Sequence, residues 1–327
     1  MPDGWSISAR ASRDQRALVE ICSPGNECAT IDTYVIDRLA PRELDRVRFA
    51  DGGDTMVVAS WLSPRTREVL RARGVHYLDL TGNVDVSLPS PAVVLRTMGA
   101  DRDPRPLPRS GPSLRGPKGW ALLRTLIEVA PPYTAGDLAR ALDVDDGYVS
   151  RALRVLADDR LIERRPRGPV TDVDWEATLR RLSRSYSLLG SNRASTWIAT
   201  AGADQLVADL TRRQRTGRWV VTGSVVAASL APVAAPEIAV IYTTDVERLA
   251  DAGRLLPAST AANVILAEPY DPIVFARSRS IDGMTVVSTA QAAADLLTGP
   301  GRMPHEGEAL LRWMRANTTH WQAPRLE

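Results

Sequence analysis

Residues 134–167 constrain this chain more tightly than any other stretch, because two helical patterns and a basic hairpin follow one another there in a fixed order. Thr134 supplies a capping oxygen, and Leu138, Ala139 and Leu142 then recur on one helical face. A short turn falls at Asp143, Val144 and Asp145. A second helix is predicted to begin near Asp146. It would bury Val149, Ala152, Leu153 and Leu156 and turn Gly147, Tyr148, Ser150, Arg151 and Arg154 outward. Leu161 and Ile162 start a strand, Glu163, Arg164 and Arg165 follow, a Pro/Gly turn at 166–169 carries Arg167, and residues 170–173 return. Two short strands around such a turn make a basic wing.

These residue types suit duplex DNA. Gly147 and Ser150 keep the helix short-sided where its backbone would approach bases, and Tyr148 would stack or reach a phosphate. Arginines on the helix and in the wing would meet phosphate oxygens or the minor groove. The candidate DNA-binding set is Thr134, Gly147, Tyr148, Ser150, Arg151, Arg154, Arg164, Arg165 and Arg167. A solvated, arginine-rich helix pair is the plain alternative. Asp145 and Asp146 stand at the mouth of the second helix, where they repel phosphate but favour the helix dipole. The segment from about residue 119 to 173, with GDLARALDVDDGYVSRALRVLADDRLIERR at its centre, resembles the winged-helix domains of MarR- and IclR-like bacterial regulators. That resemblance covers about a sixth of the chain and implies double-stranded DNA binding, with Tyr148, Val149, Ser150 and Arg151 in the major groove.

Composition bounds the rest. A length of 327 residues suits two or three domains, and 44% hydrophobic residues are ample for packed cores, which excludes global disorder. The net charge is only +2, so any affinity for nucleic acid must come from local patches. Lys118 is the one lysine, a bias toward arginine that points to genome composition more than to phosphate contacts. Cys22 and Cys28 have no neighbouring histidine, a poor spacing for zinc, and two cysteines are too few for a secreted scaffold. They read as two ordinary cytoplasmic thiols. No leader-like start and no run of about eighteen apolar residues is visible, so a soluble, cytoplasmic protein without a membrane partner is expected. No metal and no cofactor is expected.

The expected fold class is α/β plus α+β, in four segments: a small α/β domain at 1–100, a Pro/Arg-rich linker at 101–118, a winged helix-turn-helix at 119–190 and a further α/β domain at 191–327. In the first, strands are predicted at 56–61, 76–80, 84–88 and 92–98, with a helix from Ser63-Pro64 to Arg73 that stops at Gly74 and a turn at 81–83. This order resembles the core of PD-(D/E)xK nucleases, with Asp79 and Asp85 where metal carboxylates would be sought. That chemistry needs an acidic residue and a lysine on the next strand, which instead reads Val93, Val94, Leu95, Arg96, so a degenerate scaffold or an unrelated sheet is expected. His76 reads as a satisfied strand-end histidine. The linker offers almost nothing to bury. Its Arg102, Arg105, Arg109 and Arg115 are either solvated or laid along DNA. Asp174 caps a helix carrying Trp175, Leu179, Leu182 and Tyr186.

In the last segment, strands are predicted at 219–222, 238–242, 262–266 and 273–276, with helices at 225–230 and 246–252. Thr222, Gly223 and Ser224 resemble the Gly-Ser motif of nucleotidyltransferases, whose fold then requires two carboxylates two apart for Mg²⁺. The chain has Glu237, Ile238 and Ala239 there, an incomplete metal site. The tail, with Ser288, Gln291, Asp295, Leu296, Gly301, Arg302 and Glu308 to Trp313, resembles abortive-infection antitoxins of the AbiEi type. That resemblance implies a nucleotidyltransferase-like domain without catalysis, repression of the protein's own operon and a cognate toxin partner, although the hundred residues at the N-terminus depart from the pattern. For Gln291, Asp295 and Arg302 an amphipathic helix with surface ion pairs is at least as good an account as partner binding. The chain thus reads as a non-catalytic DNA-binding regulator, acting as a homodimer or as several copies on a repeated operator. The alternatives are a DNA-targeted nuclease or nucleotidyltransferase, or a scaffold that binds a partner or effector.

Overall fold

The computed structural model describes residues 3–11, 15–45, 47, 54–105, 112–213 and 217–326. The chain divides into one unit of residues 1–110 with 155–160 and a second of 111–154 with 161–327. None of the helices described is long and apolar enough to cross a membrane.

The first unit holds β1 (Ser6–Ala11), β2 (Arg16–Cys22), β3 (Cys28–Val35), a 3-10 helix at Pro41–Asp45, β4 (Thr55–Ala59), α1 (Pro64–Ala72), β5 (His76–Asp79), β6 (Val84–Leu88) and β7 (Val93–Thr97). The seven strands form one sheet in sequence order. Strand β4 runs parallel to β3 and β5, and the other pairs are antiparallel. The parallel steps are the ones that need long connections, supplied by the segment containing the 3-10 helix and by α1. Helix α1 begins as predicted, with Ser63 Oγ accepting from Thr66 N at 3.0 Å and proline behind it, and Gly74 leaves it at φ +67°. Because side chains alternate across a strand, Val57 joins Leu44, Leu62, Leu70 and Tyr77 in one cluster, and Met56 joins Ile31, Val84 and Val86 in another. Each fully buried leucine contributes about 1.5–3 kcal/mol.

The expectation of two free thiols is corrected here. The β2–β3 register sets Cys22 opposite Cys28, with Cα atoms 4.1 Å apart, and the two are joined in a disulfide. Hairpin register, which the spacing alone does not carry, decides this.

The second unit opens with α2 (Pro117–Glu128), α3 (Ala135–Leu142), α4 (Asp146–Asp158), β8 (Ile162–Arg164) and β9 (Val170–Val173). Helices α5 (Trp175–Ser183) and α6 (Leu188–Ser191) lead to β10 (Arg193–Ile198), α7 (Ala203–Arg213), β11 (Trp219–Thr222), α8 (Ser224–Leu230), β12 (Ala239–Thr243), α9 (Val246–Gly253), β13 (Leu256–Pro257) and β14 (Val264–Glu268). A 3-10 helix at Pro272–Phe275, β15 (Arg279–Ile281), β16 (Met284–Val286), α10 (Thr289–Thr298), α11 (Met303–Ala316) and α12 (Thr318–Trp321) complete it. Its sheet has the order β13-β10-β14-β12-β11-β16-β15, with β12–β14 and β11–β16 parallel. The strand predicted at 273–276 is a 3-10 helix. Asp271 Oδ1 accepts from Ile273 N at 2.9 Å, Pro272 presets the turn, and Val274 and Phe275 are buried beneath it, so the apolar run is a buried turn and not a ladder. In the linker, Leu114 is buried against the start of α2, where a Cβ on Gly119 would fall 2.4 Å from the Leu114 carbonyl carbon. Arg109 lies outside the described residues.

A buried polar web ties α2 to the 3-10 helix at Pro272–Phe275 and to α10. Arg124, with no exposed surface, donates to Glu128, to the carbonyl of Ile273, to the carbonyl of Ala276 at 2.7 Å and to Gln291 Oε1 at 3.3 Å. Glu128 in turn accepts from Ser288 and from Arg277 Nη1 at 3.1 Å. Backbone pairing adds to it: Ala130 N donates to the Ala323 carbonyl at 2.8 Å, and Ala323 N to the Glu128 carbonyl at 2.7 Å. The surface account of Gln291 and Asp295 is corrected by α10, which is buried from Thr289 to Leu296, the mark of an internal helix. Asp295 accepts from Tyr186 at 2.5 Å, Tyr242 at 3.0 Å, Thr222 at 2.6 Å and Gln291 Nε2 at 2.9 Å. Arg302 does pair at the surface with Glu237 at 3.0 Å, and it also reaches the buried Glu306 at 2.9 Å.

Candidate nucleic-acid interface

Local chemistry sets the helix-turn-helix. At the start of α3, Thr134 Oγ1 accepts from Asp137 N at 3.2 Å and Asp137 accepts from Thr134 N at 2.8 Å, a reciprocal capping box. The Thr134 N–H first, and then the Thr134 hydroxyl, donating to it at 2.7 Å, hold the Asp137 carboxyl below the usual range. Asp143 ends α3 at φ +50°, a left-handed conformation that aspartate tolerates. Asp145 then caps α4, its Oδ1 accepting from Tyr148 N at 2.8 Å. Val149, Ala152, Leu153 and Leu156 have no exposed surface, as the periodicity predicts.

The opposite face of α4 is less uniform than predicted. Arg151 and Arg154 are exposed, whereas Gly147, Tyr148 and Ser150 are half-buried. The Tyr148 hydroxyl donates to the Ser113 carbonyl at 3.2 Å, and burial pushes its pKa up. Tyr148 is therefore turned back toward the segment preceding α2, a long-range tether that no local pattern announces. Arg151 also lies back along the first turn, with Nη2 4.0 Å from Asp145 Oδ1. A Cβ at position 147 would fall 3.1 Å from Arg151 Nη1 and 3.0 Å from Asp145 Oδ1, so glycine clears the path between them. Asp145 is thus engaged in capping and faces a guanidinium.

In the wing, β8 and β9 pair from Ile162–Val173 onward, with an irregularity between Glu163 and Arg164 that re-aims the chain. At the tip Gly168 N donates to the Arg165 carbonyl at 2.9 Å, and Arg167 holds φ +59°. Arg165 and Arg167 are exposed. Arg164 is half-buried; burial lowers its pKa and the nearby Arg154 charge lowers it further. Arg154, Arg164, Arg165 and Arg167 form no ion pair among the described residues. The structure thus brings Arg154 of α4 near Arg164 of the wing, leaves Arg165 and Arg167 exposed at the wing tip and Thr134 exposed at the capping box, and withdraws Tyr148.

The other candidate carboxylates are engaged. Asp79 is buried and accepts from Leu62 N at 3.0 Å, from Thr81 N at 2.9 Å and Oγ1 at 2.6 Å, and from Asn83 N at 3.2 Å and Nδ2 at 2.8 Å. Burial alone would raise its pKa, but these bonds hold it below the ordinary value. Asp85 is clamped by Arg71 Nε at 2.6 Å and Arg96 Nε at 3.1 Å. His76 Nε2 lies 3.5 Å from Asp54, and its Nδ1 accepts from Ser87 N at 3.4 Å. At the Gly-Ser turn, Thr222 and Ser224 are buried and Gly223 sits at φ +68°, where a Cβ would meet Val240 Cγ2 at 3.3 Å and Met303 Cε at 3.5 Å. Side chains therefore pack closely against Gly223 on its Cβ side. Ala239 has no exposed surface, and Glu237 pairs with Arg302. Among the described residues, one group of potential metal ligands lies within 4.8 Å, Glu20 with Cys22 and Cys28, and its two sulfurs are joined to each other.

Residues 118–169 match the model of the MarR family, which places a winged-helix DNA-binding module at the centre of the chain. No curated protein and no solved structure matches the chain.

Proposed function

We propose that this protein is a sequence-specific regulator of transcription that binds double-stranded DNA, and that it acts as a repressor of the antitoxin-like kind without catalysis. The observation that carries the proposal is the unpaired set Arg154, Arg164, Arg165 and Arg167 on the recognition helix and wing, in a chain whose net charge is only +2. Charge left without carboxylate partners on one surface is what a polyanion neutralises. Titration of a fluorescent duplex from the protein's own upstream DNA should give saturable binding that weakens steeply with salt. Salt-independent binding, or none, would overturn it.

A nuclease or nucleotidyltransferase is the alternative. The engagement of Asp79, Asp85 and Glu237, and the burial of Ala239 where a second carboxylate would be needed, speak against it. Incubation with nucleoside triphosphates, tRNA or plasmid DNA and Mg²⁺ or Mn²⁺ should show neither transfer nor cleavage. Activity that disappears on Asp79→Ala, Asp85→Ala or Glu237→Ala would restore the enzyme. In this proposal the protein works in the cytoplasm, as a homodimer or as several copies on a repeated operator, since two linked modules gain effective concentration. A cognate toxin is the further partner that the antitoxin likeness of the tail brings with it.

A further inference from the structure

We infer that Arg151 reads a base, taking a guanine by its O6 and N7 edge, while Asp145 and Gly147 hold its guanidinium in place for that contact. The inference rests on the duplex-DNA-binding function proposed above and assigns its specificity to one residue.

Side chains on a helix lean toward its N-terminus, so Arg151 covers the first turn of α4, the end of a recognition helix that meets base edges. The Asp145 carboxylate is fixed by its bond from Tyr148 N at 2.8 Å and lies 4.0 Å from Arg151 Nη2. Gly147 keeps the space between them open, because a Cβ there would stand 3.1 Å from Arg151 Nη1. A long, flexible side chain is thereby held against the helix end before any ligand arrives, which cuts the ordering penalty of a two-pronged contact. Beside the Asp145 carboxylate, this guanidinium is in a poor place for a phosphate, which that carboxylate repels. A neutral base edge with two acceptors suits it, and guanine is the base that offers two acceptors side by side in the major groove. Arg154 and Arg164 contrast with it: they carry no acidic partner and their charges lie near each other, the arrangement of phosphate anchors.

The test is binding-site selection by the full-length protein from a randomised duplex library, followed by titration of single-base variants of the selected site. The parent should prefer guanine at one position of each site by about tenfold to a hundredfold. Arg151→Ala should erase that preference and spare the others, and Arg151→Gln should move it toward adenine, whose edge pairs with an amide. Asp145→Asn and Gly147→Ala should each reduce it. Arg154→Ala should weaken binding to all sequences alike and flatten the slope of log affinity against log salt by about 0.9. An Arg151→Ala protein that keeps the guanine preference, or whose affinity falls equally for every sequence, would overturn the assignment while leaving DNA binding intact. Unchanged preference in both Asp145→Asn and Gly147→Ala would overturn the positioning part. A parent that binds no duplex would overturn the proposed function itself.

Discussion

Arginine does opposite work in two regions of this chain. Between α2 and α10, Arg124 is sealed from water with Glu128, two backbone carbonyls and Gln291 around it, and the charge is spent on holding the second unit together. On α4 and the wing, Arg154, Arg164, Arg165 and Arg167 face no carboxylate among the described residues. In a chain whose basic residues are arginine with one exception, the residue type says nothing about role. Partners do, and they separate architecture from binding surface.

The sharpest way to break this contrast is Arg124→Met. Removing one member of a buried pair leaves the buried Glu128 carboxylate with Arg277 and Ser288 alone, so stability should fall by about 3 kcal/mol in urea denaturation, the lower end of the effect of breaking a buried pair. A decrease below about 1 kcal/mol would show that the web does not hold the unit together. Asp295, in the neighbouring polar cluster, gives the next effect. Burial pushes its pKa up to about 6, above the unfolded value of about 3.9, although hydroxyl and amide bonds pull the other way. An acid whose folded pKa is raised favours the folded state while protonated, so this contribution disappears as pH rises from about 4 to about 6, by roughly 3 kcal/mol. Asp295→Asn should flatten that part of the stability profile relative to the parent. Parallel profiles would show that the carboxyl does not titrate there. A smaller effect, on binding and not on folding, is expected from Arg165→Ala with Arg167→Ala. Duplex affinity should drop about tenfold and the salt slope should flatten by about 0.9 for each phosphate no longer neutralised, with unfolding unchanged. If unfolding shifts and DNA affinity does not, the wing tip belongs with the architectural arginines. Least of all should come from Arg315→Ala, whose 2.7 Å bonds to Glu176 are near the surface, with a change under about 1 kcal/mol.

The helix-turn-helix was legible because its signals are local. A cap at Thr134, a face of Val149, Ala152, Leu153 and Leu156, and a Pro/Gly turn between short strands act over a few residues each. Strands β1 and β2 carry no such contrast: β1 is exposed throughout and β2 alternates between exposed and half-buried. The segment at 273–276 looked like a strand because its residues are apolar, but an aspartate cap and a proline wound it into a turn. Asp295 looked like the polar side of an amphipathic helix. Its partners Tyr186, Thr222 and Tyr242 come from other elements, and only the folded unit collects them. At the candidate interface the arginines were visible in the sequence. The inward turn of Tyr148 and the clearance that Gly147 provides depend on atoms far along the chain or on side-chain direction, which spacing does not encode.

The pairing of Ala323 with the end of α2 bears on how this protein could have arisen and how it can be taken apart. A winged helix of about fifty residues is a portable cassette in principle, and recombination could swap it between proteins. Here the cassette has been soldered in. Excision at residue 190 would strip the neighbours from a guanidinium and a carboxylate and leave the end of α2 without the Ala323 segment that pairs with it. The winged-helix part of this chain is expected to be inherited, expressed and discarded together with the rest of the second unit.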